Sequence, residues 1–83
     1  LWVVKQATRA QVVFQMQNEK EAFEKISKEL ETYNICMHQF KWQRKGNDMF
    51  HLRCQVVIPP QYGRAEIAEI FMQIKEVEAF EVI

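Results

Sequence analysis

Glycine is nearly absent from this chain, with two residues in 83, Gly46 and Gly63. A phosphate cradle needs several glycines so that the backbone can approach its ligand, and no GxGxxG, P-loop or GxSxG pattern can form here. Serine and aspartate are scarcer, with Ser27 and Asp48 the single examples of each. Ser27 falls inside a helix-period run and Asp48 inside a turn signal, so neither starts a nucleophile–base constellation. The chain is expected not to be an enzyme. No cofactor is expected either.

Cysteine is also sparse. Cys36 and Cys54 are too few for a disulfide framework, and they suit a reducing compartment as small apolar residues within strands. No run approaches the ~20 apolar residues of a membrane span, and no basic segment with a cleavage site marks a signal peptide. Charge of one sign is missing as well, because 11 basic residues balance 11 acidic ones. A neutral domain lacks the basic footprint that attracts nucleic acid, so no nucleic-acid partner is expected.

What the chain does have is apolar rhythm, with 48% hydrophobic residues. Ala10, Val12, Phe14 and Met16 alternate as a half-buried strand does. Ala22, Phe23, Ile26, Leu30 and Tyr33 then recur at helical spacing. Asn18 precedes them as an N-cap, with Glu21 three residues on. Asn34 suits the left-handed residue that ends a helix. Ile35 to Arg44 and Met49 to Ile58 read as two strands around the turn signal Lys45-Gly46-Asn47-Asp48. Pro59-Pro60 stops the second of these. Ile67, Ile70, Phe71 and Ile74 form a second helix stripe within Glu66 to Ile74, and Val77 to Ile83 reads as a terminal strand.

This order, βαββαβ, predicts an α+β ferredoxin-like fold: a four-stranded antiparallel sheet with two helices on one face. The domain is expected over residues 9–83, with 1–8 a tether or an extension of the first strand. The apolar start Leu1-Trp2-Val3-Val4 and the missing initiator Met suggest a domain cut from a longer protein.

If Gly46-Asn47 is a two-residue turn, Ile35 faces Ile58, Met37 faces Val56 and Trp42 faces His51. Opposed residues share a face. The helix-free face then carries Val13, His38, Phe40, Trp42, His51, Arg53 and Val57, a candidate interface centred on two exposed aromatics. A three-residue turn or a bulge would shift the register by one and send Phe40 and Trp42 to the other face. A homo-oligomer or a protein partner is the expected occupant.

His38, His51, Cys36 and Cys54 are the residue types of a zinc site, but there is no CxxC or HxxxH spacing. The two cysteines point to opposite faces, and the two histidines lie four ladder steps apart, about 13 Å at ~3.3 Å per residue. No metal site is expected.

The closing run Ile74-Lys75-Glu76-Val77-Glu78-Ala79-Phe80 resembles that of ACT domains. Such domains often bind amino acids through a first loop carrying an acidic residue and a glycine. Here that loop reads Gln17-Asn18-Glu19, without glycine. From Arg9 to Ile83 the chain more closely resembles the ACT-like C-terminal domain of the MgtC/SapB family of bacterial inner-membrane proteins. The shared features are the amphipathic helix, the polar hairpin, a V-x-x-P strand end at Val56 to Pro59, and the rhythm from Phe71 to Val77. The resemblance implies a non-catalytic regulatory or interaction domain at the cytoplasmic face of the inner membrane. Its parent would be a membrane protein tied to magnesium transport or growth in low magnesium. An amino-acid-sensing ACT domain of a metabolic enzyme or stringent-response protein is the rival reading.

Overall fold

The elements follow from these rhythms. The computed structural model describes residues 6–83, in the order β1 (Thr8–Met16), α1 (Glu19–Thr32), β2 (Cys36–Arg44), β3 (Phe50–Ile58), α2 (Arg64–Met72) and β4 (Ala79–Val82). The four strands form one antiparallel sheet in the order β2-β3-β1-β4. This is the ferredoxin-like arrangement expected from the sequence. Residues 1–5 of the expected tether lie outside the described residues, and Thr8 already belongs to β1.

Each boundary has a local cause. The Asn18 side chain accepts a 3.1 Å hydrogen bond from the Glu21 N–H, capping α1 just ahead of its first buried position, Ala22. At the other end Asn34 takes φ 57°, and Ile35 N–H reaches back to the Leu30 carbonyl at 2.9 Å while Asn34 N–H bonds to Glu31. That is a Schellman ending, and it drops Ile35 into the core. Gly63 N–H donates to the Glu66 carboxylate at 3.0 Å, which starts α2 two residues earlier than its apolar stripe predicts. β4 is shorter than expected because Val77 N–H bonds to the Ile74 carbonyl, closing a turn where the strand pattern begins.

One side of the sheet carries the core. Val12, Phe14, Met16, Leu52, Cys54, Val56 and Ile58 meet Ala22, Ile26 and Leu30 of α1 and Ile67, Ile70 and Phe71 of α2. Phe14, Phe71 and Phe80 stack edge to face, at 5.1 Å and 5.3 Å between centroids. No polar or charged side chain is buried among the described residues.

Candidate functional site

The candidate site is the outer edge of the sheet at β2, and its geometry turns on two single-residue shifts. The hairpin loop holds three residues between Lys45 and Met49, closed by a 2.8 Å bond from Lys45 N–H to the Met49 carbonyl. Gly46 (φ 129°) and Asp48 (φ 59°) take the positive φ values, where the two-residue turn asked them of Gly46 and Asn47. The extra loop residue changes the parity of the pairing, so Trp42 lies opposite Leu52 and Arg44 opposite Phe50. Further along, the ladder slips between His38 and Lys41. There Gln39 and Phe40 together span the place of Cys54, and Gln39 takes φ 58°. This is a β-bulge whose first residue is left-handed, a position usually held by glycine.

The bulge undoes the shift made by the loop. Met37 therefore faces Val56, as the two-residue turn predicts, while Trp42 faces Leu52 and not His51. Phe40 and Trp42 are not on the helix-free face; this corrects the expectation. Both lie on the α1 side, where the Phe23 ring meets Phe40 at 5.4 Å and Trp42 at 5.8 Å. They do not enter the core. Phe40 remains 45% exposed and Trp42 42%, because β2 is an edge strand that runs out past the buried stripe of α1.

The other expected residues fall on the helix-free face. The register puts Val13, His38, His51, Arg53 and Val57 there, together with Cys36, Lys41, Gln43, Gln11, Gln15 and Gln55. Without the two aromatics this face is polar, with Val13 and Val57 half-buried among glutamines and cations. The aromatic patch and the histidine face, read from the sequence as one surface, are two surfaces on opposite sides of β2. Phe23 is the member that sequence reasoning left in the core. Its position at the margin of the α1 stripe, one residue off Ala22, is the signal that could have assigned it to the patch.

Beside the aromatics a groove of about 450 Å³ runs between α1 and β2, lined by Ser27, Glu31, Asn34, Met37 and Phe40, with Cys36 exposed on it. Cys54, by contrast, is enclosed, and burial pushes its thiol from the ordinary 9.0 up to about 11. At the opposite end of β2, Arg44 sits over the Phe50 ring at 5.2 Å. The β1–α1 loop, where the ACT resemblance implies a ligand, uses Asn18 as a helix cap. Among the described residues no three His, Cys, Asp or Glu side chains are grouped to hold a metal, and no helix is long and apolar enough to cross a membrane.

No family model and no curated protein matches the chain. Among solved structures, the solution structure of the C-terminal domain of the MgtC protein from Mycobacterium tuberculosis superposes with a TM-score of 0.73. The chain has the fold of that MgtC domain. The match covers 100% of this chain and 92% of the MgtC domain, at 12% identity. The resemblance drawn from the helix, hairpin and closing motifs is thus met in the backbone. At this identity it concerns fold and does not carry individual residues across.

Proposed function

We propose that this chain is a non-catalytic regulatory or interaction domain of an MgtC-type membrane protein, acting by self-association or partner binding. The observation that carries the reading is the fold match, which accounts for the whole chain and nearly the whole MgtC domain. In this reading the parent serves magnesium transport or low-magnesium adaptation, and the domain works at the cytoplasmic face of the bacterial inner membrane. The aromatic edge supplies the contact surface. Phe40 and Trp42 together leave on the order of 150 Å² uncovered, worth roughly 4 kcal/mol per protomer if a partner covers it. Association costs are of comparable size, so the contact is weak and reversible, as suits regulation.

Two measurements test the proposal. Sedimentation velocity from about 10 μM to 1 mM should show a concentration-dependent shift toward dimer, or capture by the rest of the parent protein should replace it. A thermal-shift screen with the twenty amino acids should leave the midpoint unmoved. A clear rise with one amino acid would favour the sensor reading, since a ligand bound only to the native state raises its stability.

A further inference from the structure

A different part of the sheet is left unfinished, at the end where β1 begins. β4 pairs only with Val12–Gln15 of β1, and one further bond, Ile83 N–H to the Gln11 carbonyl at 2.9 Å, closes the contact. β1 starts four residues earlier, at Thr8, and pairs with β3 along its whole length. In an antiparallel ladder alternate residues point their N–H and C=O to the same neighbour. The rungs of β1 that serve β4 fall on Gln11, Val13 and Gln15; Val13 lies opposite Glu81, and Gln11 and Gln15 accept from Ile83 and Glu78. The next in line is Arg9. Its backbone N–H and C=O face the space beyond β4, and among the described residues nothing pairs with them there.

That space is a cavity of about 780 Å³. Its walls are apolar: Ala10, Ile58, Ile67 and Ala68, with Val82 and Ile83 at the edge, 49% and 61% exposed. Two arginines, Arg9 and Arg64, line it, and no acidic residue does. The nearby Glu66 carboxylate is turned onto the Gly63 N–H as the α2 cap. An apolar slot with unpaired strand edge and cationic lining has the parts of a strand-addition site, in which main-chain bonds give affinity and side-chain pockets give selectivity.

We propose that this slot takes an extended peptide of alternating apolar and acidic residues, added antiparallel to β1 in line with β4. The residue opposite Arg9 bonds to both of its backbone groups and, sharing its face, presents a carboxylate to its side chain. The residues on either side point to the helix-covered face and rest on Ala10, Ile67 and Ala68. This surface is separate from the aromatic edge and stands whether or not that edge self-associates.

The test is an NMR titration of the labelled chain with an alternating valine–glutamate hexapeptide. Saturable amide shifts centred on Thr8, Arg9, Ala10, Ala68 and Val82 are expected, with slowed exchange of the Arg9 amide. Arg9→Pro removes the N–H that faces the slot while leaving every β1–β3 bond intact. It should weaken binding about threefold to tenfold. Ala68→Phe, which fills the slot with a side chain, should abolish binding in a chain whose folding the same spectra verify. Phe40→Ser/Trp42→Ser should leave binding unchanged. Absence of saturable shifts at ~1 mM peptide, equal affinity for a valine–lysine hexapeptide, or undiminished binding by Arg9→Pro and Ala68→Phe would each overturn the proposal. Self-association that Ala68→Phe removes would put a second copy in the slot, and would overturn it too.

Discussion

The two cysteines sit on opposite faces of the sheet, and this divides their chemistry. Cys36 is exposed on the rim of the α1–β2 groove, whereas Cys54 is enclosed beneath the helices. A thiol reagent at neutral pH should modify Cys36 within minutes and Cys54 only on unfolding, which mass spectrometry of native and denatured chain will read out. The buried thiol also links stability to pH. Its proton is held to about 11 in the folded chain, against an ordinary 9.0. Unfolded chains lose that proton first, so this contribution is complete below pH 9 and declines as pH rises toward 11. Cys54→Ala should flatten the alkaline limb of the stability profile, at the cost of a small cavity. Gln39 is the other residue with a distinct local cost, since a side chain at φ 58° is strained where glycine is not. Gln39→Gly should raise the unfolding free energy by about 1 kcal/mol in urea titration, without changing the m-value.

At the level of elements, periodicity carried most of the information. Both helices, all four strands and the residues of the core were legible because burial on one face imposes a period of two or 3.6 on the sequence. The caps at Asn18 and Asn34 were legible too, since the Asn18 side chain accepts a free helix N–H and Asn34 takes the left-handed φ of a Schellman ending. The facing of β2 was not. It depends on whether the loop holds two residues or three and on a bulge at Gln39, and neither changes the hydrophobic pattern. A single-residue ambiguity inverts a face, so Met37 came out right and Trp42 wrong on the same strand. The bulge also interrupts the long exposed edge of β2, a form of protection against uncontrolled strand pairing. Deleting Gln39 should yield a continuous ladder with Phe40 opposite Cys54 and Trp42 still opposite Leu52. The variant should fold, show stronger amide protection along β2, and aggregate more readily in light scattering. Loss of the Phe23–Trp42 contacts in that variant would contradict this reading of the bulge.

For the whole molecule, the sheet separates its duties. One side is filled by the helices, the other is polar, and apart from Met72 at the end of α2 the exposed large apolar groups among the described residues collect at the margins: Phe40 and Trp42 beside α1, Val82 and Ile83 beside the unfinished end of β1. The candidate interface residues Val13, His38, His51, Arg53 and Val57 belong to the polar side and form a control surface for the aromatic edge. The proposed interaction runs through the aromatic margin. The most direct measurement is sedimentation equilibrium at concentrations up to ~1 mM on three proteins: the chain itself, Phe40→Ser/Trp42→Ser, and Val13→Ser/Val57→Ser. Reversible dimerisation is expected of the first and third, and a monomer of the second. A chain that stays monomeric throughout, or one whose association survives loss of both aromatics and fails with the valines, would contradict the proposed interaction.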